Sequence, residues 1–135
     1  GTELMTLKSH EDSVRSVAYS PDGQRIVTAS ADEIAKVWEA ETGQELLALK
    51  GHDGGIVSTG YSADGRRIVT ASFDQTAKVW NAETGTELLT LAGHDSWVWS
   101  AAYSADGQRI VTAGGGDTKV WEANTGQELF TMAAD

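Results

Sequence analysis

The chain has 135 residues, a length that fits one domain with a single buried core. Its 20 acidic and 10 basic residues give a formal net charge of -10, which disfavours binding to nucleic acid or anionic lipid because both carry negative charge. The chain contains no cysteine, which excludes disulfides and thiol chemistry and favours a reducing, cytoplasmic location.

The start of the chain predicts neither a leader nor a membrane anchor. Residues 1–12, GTELMTLKSHED, lack the apolar core of a signal peptide. No stretch approaches the roughly 20 apolar residues of a membrane-spanning helix, so we expect no membrane contact. A first residue of Gly1 is consistent with a processed, excised or engineered chain.

A unit of 42 residues occurs three times. The interval is visible in the histidines, which are His10, His52 and His94. The tryptophans follow it from Trp38 to Trp80, but Trp121 comes after only 41 residues. The third copy has therefore lost one residue, between Thr112 and Lys119. Repetition of this kind predicts a stack of equivalent structural units.

Each unit is predicted to form four short antiparallel strands. In the first unit SVRSVAYS, PDGQ and RIVTAS form a strand, a turn and a strand, since an Asp-Gly pair supplies the positive φ of a tight hairpin. IAKVWEA is the third strand, and QELLAL follows an ETG turn as the fourth. The predicted fold is all-β, with one four-stranded sheet in each of 8–49, 50–91 and 92–132 and an extra outer strand at 1–7.

The stretch VTAGGGDTKVW, residues 111–121, has the glycine content of a phosphate-binding loop. It precedes a strand instead of a helix, and GxxxxGK[ST] cannot be laid over it. Its counterparts ASADEIAKVW and ASFDQTAKVW identify it as the turn between the second and third strands, shortened by one residue. We expect its glycines to take backbone angles that other residues resist.

Taken together, the three copies resemble the blades of WD-repeat β-propellers. The resemblance lies in the Gly-His start, the SPDG turn between two strands, and an aspartate six residues before a tryptophan. The Trp-Asp dipeptide is replaced in all three copies, which read Trp38-Glu39, Trp80-Asn81 and Trp121-Glu122. The resemblance implies propeller blades, a non-catalytic scaffold that binds proteins or peptides, and no cofactor.

The resemblance also implies a hydrogen-bonded group of four side chains in each blade, which we call the tetrad. Its expected members are His10, Thr28, Asp32 and Trp38, then His52, Thr70, Asp74 and Trp80, and in the third copy His94, Thr112, Asp117 and Trp121. In the third copy Gly116 holds the position of Asp74, and Asp117 lies only four residues before Trp121. Either Asp117 fills the carboxylate position through a remodelled turn, or this tetrad lacks its acid.

A histidine, an aspartate and a hydroxyl in one network could also indicate catalysis. Their recurrence at strand-determined spacing favours the structural role, and no acid, base and nucleophile converge outside the tetrads. We therefore expect no enzyme activity. The three histidines belong to different blades, so no metal site is expected either.

Three blades are too few to close a propeller, which needs at least four. We expect the chain to associate with itself, as a six-bladed dimer in preference to a nine-bladed trimer, or to be part of a longer propeller. The outer-strand sequence occurs four times, as GTELMTL, GQELLAL, GTELLTL and GQELFTM. One copy is surplus, and the terminal strands are expected to clasp neighbouring chains.

Partner-binding side chains in such propellers lie on one rim, three and five residues after each histidine and one before the turn aspartate. The strongest candidates at these positions are Arg15, Phe73, Trp97 and Trp99, because arginine and large aromatic residues anchor interfaces. The alternative is that the tryptophans pack between blades or line the central channel. A second alternative is a structural or engineered self-assembling unit with no dedicated ligand.

Overall fold

The computed structural model describes residues 6–7, 10 and 12–133, and within these it contains strands and no helix. The strands are β1 Val14–Tyr19, β2 Arg25–Ser30, β3 Ile34–Glu39, β4 Glu45–Lys50, β5 Ile56–Tyr61, β6 Arg67–Ser72, β7 Thr76–Asn81, β8 Glu87–Ala92, β9 Val98–Tyr103, β10 Arg109–Gly114, β11 Asp117–Glu122 and β12 Glu128–Ala133. Accordingly, no helix in the described part is long and apolar enough to cross a membrane.

The strands form three four-stranded sheets in sequence order, β1–β4, β5–β8 and β9–β12, with antiparallel neighbours throughout. We call these sheets blade 1, blade 2 and blade 3. The predicted all-β fold of four-stranded units is confirmed. The fourth strands end at 50, 92 and 133, one residue beyond the predicted limits, because their last residues still pair with the first residues of the third strands. Most of the outer strand predicted at 1–7 lies outside the described residues.

The hairpin between the first two strands of each blade is built on the pattern Ser-x-Asp-Gly, in which the second residue is Pro21 in blade 1 and alanine in the other two blades. In blade 1 the Ser20 hydroxyl donates to Asp22 Oδ1 at 2.6 Å, and the Gly23 N–H donates to the Ser20 carbonyl at 2.9 Å. Gly23 has a φ of 73°, as the Asp-Gly pair predicts. Ser62 and Ser104 make the same hydroxyl bond in the other blades.

The hydrophobic core lies between the blades. One cluster joins blade 1 to blade 2, where Val27, Val37 and Leu49 face Ile56 and Trp80. A second cluster joins blade 2 to blade 3 and uses equivalent residues. Each blade therefore buries its apolar surface against its neighbour, because one sheet of this size cannot form a core alone.

Candidate functional site

The tetrad of blade 2 is a continuous chain of hydrogen bonds. The indole N–H of Trp80 donates to Thr70 Oγ1 at 2.9 Å, and this oxygen lies 2.7 Å from His52 Nε2. His52 Nδ1 lies 2.7 Å from Asp74 Oδ2. Because the threonine hydroxyl accepts from the indole, its own proton is free to go to Nε2. This arrangement places the imidazole proton on Nδ1, facing the carboxylate.

Burial keeps this imidazole neutral. Burial lowers the pKa of His52, and the hydrogen bond and negative charge of Asp74 offset only part of that effect. For Asp74 burial alone would raise the pKa, but hydrogen bonds from Thr76 and His52 outweigh it and the pKa lies below its ordinary value. The pair is therefore a neutral histidine hydrogen-bonded to a carboxylate.

Blade 1 has the same chain of contacts. Trp38 donates its indole N–H to Thr28 Oγ1 at 2.9 Å, and His10 Nε2 lies 2.7 Å from the same oxygen. His10 Nδ1 lies 3.1 Å from Asp32 Oδ2, a longer contact than in blade 2. The first two tetrads therefore bring together all of the residues that the resemblance implies.

Blade 3 reaches the same geometry by a different route. His94 Nδ1 lies 2.7 Å from Asp117 Oδ1, and the remaining contacts, to Thr112 from His94 and Trp121, measure 2.7 and 2.8 Å. Asp117 is the first residue of β11 and pairs with 133, whereas Asp74 lies in the turn before β7. The carboxylate of blade 3 therefore comes from a strand instead of a turn.

The position of Asp117 corresponds to that of Thr76 in blade 2. Thr76 pairs with Ala92 at the start of β7, and its hydroxyl already lies 3.4 Å from His52 Nδ1. An acidic side chain at this strand position is therefore directed at the histidine without any help from the turn. The sequence did not lead us to predict the contacts of Thr76 with His52 and Asp74. The feature from which they could have been predicted is a threonine two residues after Asp74.

The expectation of unusual backbone angles for the three glycines of the shortened β10–β11 turn is wrong. The positive-φ glycines are those of the other turns, and Gly114, Gly115 and Gly116 are not among them. Gly114 and Gly115 are instead required because there is no room for a side chain at either position. A Cβ on Gly114 would lie 2.6 Å from His94 Nδ1, and one on Gly115 would lie 2.8 Å from Ser96 Oγ. The shortened turn brings the backbone against these side chains.

The chemistry of the tetrads fits a structural role. The hydroxyl-bearing threonines Thr28, Thr70 and Thr112 are buried, and each hydroxyl is engaged by an indole and an imidazole. A nucleophile must reach a substrate, and these cannot. Within residues 6–7, 10 and 12–133, no group of three histidine, aspartate or glutamate side chains could hold a metal ion.

The four rim candidates form one contiguous row, which we call the rim ladder. The guanidinium carbon of Arg15 lies 5.4 Å from the centre of the Phe73 ring. The Phe73 and Trp97 rings are 4.8 Å apart, and those of Trp97 and Trp99 are 6.4 Å apart. The ladder thus runs from blade 1 through the β6–β7 turn of blade 2 to blade 3.

The two indoles of the rim ladder face solvent. Trp97 is 52% exposed and Trp99 is 57% exposed, whereas the tetrad tryptophans are at most 3% exposed. Gly55, at the rim position equivalent to Trp97, lies between Ala31 and Phe73, where a Cβ would be 3.2 Å from the Ala31 Cα. Between blades 1 and 2 the rim is therefore packed through a small residue, whereas between blades 2 and 3 the Trp97 ring packs on Phe73 and still remains 52% exposed.

Comparison with known proteins gives a consistent result. The family model described as "WD domain, G-beta repeat" matches residues 1–39, 43–81 and 85–122, which together cover most of the chain. The second and third matches each include the fourth strand of one blade and the first three strands of the next.

Similar individual proteins are matched over single repeats. Periodic tryptophan protein 2 of Saccharomyces cerevisiae is 50% identical over 40 residues, which cover 30% of this chain and 4% of that protein. The ribosome biogenesis protein WDR12 homolog of Drosophila persimilis is 59% identical over 34 residues, covering 25% of this chain and 8% of that protein. The matched segments are thus small parts of their proteins.

Among solved structures, that of U3-55K superposes with a TM-score of 0.89 at 21% sequence identity. The superposition covers 95% of this chain and 41% of the U3-55K chain. At this identity the likeness establishes the fold alone. Together with the three family matches and the repeated tetrads, it shows that the chain belongs to the WD-repeat family of β-propeller blades.

Proposed function

We propose that the chain acts as a non-catalytic protein-interaction scaffold and that its partner contacts the rim ladder of Arg15, Phe73, Trp97 and Trp99. The observation that carries the proposal is the exposure of both indoles within a row of touching rings. Proteins of this family are generally non-catalytic scaffolds. A partner would bury two large aromatic surfaces without needing to displace core side chains.

The chemistry of the rim ladder favours a partner with cationic or apolar side chains. Arg15 already places a guanidinium over the Phe73 ring, so the rings of the ladder accept a cation on their faces. The net charge of -10 adds long-range attraction for a basic segment and repels nucleic acid. By analogy with the relative named as a ribosome biogenesis protein, such factors are the partners to screen first. A cytoplasmic location remains a prediction from the lack of cysteine.

A displayed peptide library selected on the wild-type chain tests the rim proposal. Selected clones are then assayed on the variant in which Trp97 and Trp99 are both alanine. The control is Leu88→Ala, since Leu88 is a 38% exposed apolar residue on the outer strand β8. We expect binding to be lost by the double variant and kept by the control. Clones that bind both variants alike would show that recognition lies elsewhere.

A second candidate function is self-association, as a six-bladed dimer in preference to a nine-bladed trimer. It is supported by the apolar side chains that stand exposed on the outer faces of blade 1 and blade 3. A structural or engineered building block that only assembles with itself is the corresponding alternative to a scaffold. The native mass by light scattering distinguishes monomer, dimer and trimer, since each further copy adds 14.3 kDa.

A further inference from the structure

The contact between neighbouring blades occurs twice in the chain with equivalent residues. One side of the first contact is formed by Val27, Leu47 and Leu49 of blade 1. Their equivalents in the second contact are Val69, Leu89 and Leu91 of blade 2. The other side of the first contact is formed by Ile56, Tyr61 and Ile68 of blade 2. Their equivalents in the second contact are Val98, Tyr103 and Ile110 of blade 3. The chain thus shows how any of its blades packs on the next.

The side of blade 3 on which none of the described blades packs carries the first set of residues in an exposed state. Val111 is equivalent to Val27 and Val69, which are fully buried, but it is 40% exposed. At the positions of the two leucines, Phe130 is 46% exposed and Met132 is 51% exposed. Blade 3 therefore retains the half-interface through which blades 1 and 2 bind their neighbours.

The free side of blade 1 carries the second set. Val14 is 46% exposed, whereas its counterparts Ile56 and Val98 are fully buried. Val17 is 65% exposed at the position where blade 3 has the buried Ala101. Tyr19 is 66% exposed, whereas its counterparts are partly buried against the preceding blade. Blade 1 therefore retains the complementary half-interface.

The outer turns provide a further match. A Cβ on Gly85 of blade 2 would lie 3.4–3.5 Å from the side chains of Leu47 and Leu49 of blade 1, and Gly126 stands in the same relation to the leucines of blade 2. The equivalent glycine of blade 1 is Gly43, with a φ of 76° like the other two. Its counterpart surface on blade 3 is formed by Phe130 and Met132.

We propose that the free face of blade 3 in one copy docks on the free face of blade 1 in a second copy, head to tail, in the geometry of the two internal blade contacts. This inference rests on the self-association proposed above and specifies its interface. Val111, Phe130 and Met132 of one copy then cover Val14, Val17 and Tyr19 of the next. Because the two faces differ, the contact is heterologous and can close a ring.

Two single substitutions, one on the free face of blade 1 and one on the free face of blade 3, test the head-to-tail docking. Val17→Asp places a charge on the free face of blade 1, and Val111→Asp places one on the free face of blade 3. Both residues are exposed, so each variant should fold, and circular dichroism checks this. Leu88→Asp, on the outer strand of blade 2, is the matched control. Native masses are measured by light scattering for each variant alone and for an equal mixture of the two.

Head-to-tail docking predicts that the wild type and the control assemble and that each face variant alone is monomeric. The mixture should recover a two-chain species, because the intact blade 3 of V17D fits the intact blade 1 of V111D. If one face variant still forms dimers alone, or the mixture stays monomeric, the chain associates in another way and this interface is wrong. A monomeric wild type would overturn self-association itself.

Discussion

The imidazole Nδ1 of His94 lies 2.7 Å from Oδ1 of Asp117, although the turn that supplies the carboxylate in the other blades is one residue shorter here. The first position of the third strand replaces the turn as the source of the acid. The side chain of Asp117 is 24% exposed in this place, compared with 10% for Asp74. The network is complete in blade 3, but its acid is less enclosed.

The two acids should therefore differ in their contribution to stability. Asp74 accepts from His52, from Thr76 through both N–H and hydroxyl, and from the Asp53 N–H. We expect Asp74→Ala to lower the free energy of unfolding by about 2–4 kcal/mol, because four donors, the buried His52 among them, lose their acceptor, and Asp117→Ala by about 1–2 kcal/mol. Urea denaturation followed by tryptophan fluorescence measures both. Equal losses would contradict the difference in enclosure.

A methyl group added in the β10–β11 turn should lower stability only where it collides with a neighbouring side chain. Gly114→Ala would drive a Cβ against His94 Nδ1 and is expected to cost about 1–3 kcal/mol. Gly116→Ala is the matched control, since nothing lies within 4 Å of its added Cβ. Thermal unfolding of the two variants side by side should show a lower Tm for Gly114→Ala only. A similar loss from Gly116→Ala would point to backbone strain instead.

The buried hydroxyl of Thr59 offers a stabilising substitution. In the described part of the chain its Oγ1 has no hydrogen-bond partner, and blade 1 carries Val17 at the same position. We expect Thr59→Val to raise the free energy of unfolding by about 1 kcal/mol, because an unpaired buried polar atom is removed. Thr70→Val is the contrasting variant and should destabilise, since Thr70 Oγ1 bonds both Trp80 and His52. Equal effects at the two sites would refute the distinction.

Stability should fall on acidification in two steps that the tetrad of blade 2 explains. The pKa of His52 in the folded chain lies below its ordinary 6.5, so below that pH the unfolded chain takes up a proton that the folded chain refuses. The free energy of unfolding should then fall by up to about 1.4 kcal/mol per pH unit for this group. The pKa of Asp74 in the folded chain lies below its ordinary 3.8. The contribution of Asp74 to stability is therefore lost as the pH falls from 3.8 through the lower pKa of the folded chain.

Urea denaturation of the wild type and of His52→Gln across this pH range measures the first step. The variant cannot gain that proton on unfolding, so its stability should depend less on pH just below 6.5. The same slope in both chains would show that His52 does not cause the loss.

Most of the fold follows from short sequence signals, whereas the remodelled turn does not. The Asp-Gly pairs predict the hairpins correctly because a positive φ at Gly23 is a local requirement. The spacing of His94, Thr112 and Trp121 is likewise set by strand register. The source of the carboxylate could not be chosen from spacing, because Asp117 enters the site through a register position that Thr76 occupies in blade 2.

The rim ladder was predictable as a set of positions but not as a row of contacts. Phe73 and Trp97 belong to different blades, and the 4.8 Å between their rings depends on how the sheets stack. The space needed by Gly114 is also a tertiary effect, since the contacted atom belongs to His94, 20 residues earlier in the chain. Sequence patterns report local geometry and leave such distances undetermined.

We propose that the two rim indoles serve mainly contact with a partner and contribute little to the core. The free energy of unfolding of the variant with alanine at both Trp97 and Trp99 separates these two roles. We expect a loss of about 1–2 kcal/mol in total, the amount for half-exposed rings that touch each other and Phe73. A loss of about 4 kcal/mol or more, as for buried aromatic residues, would show that the indoles belong to the core.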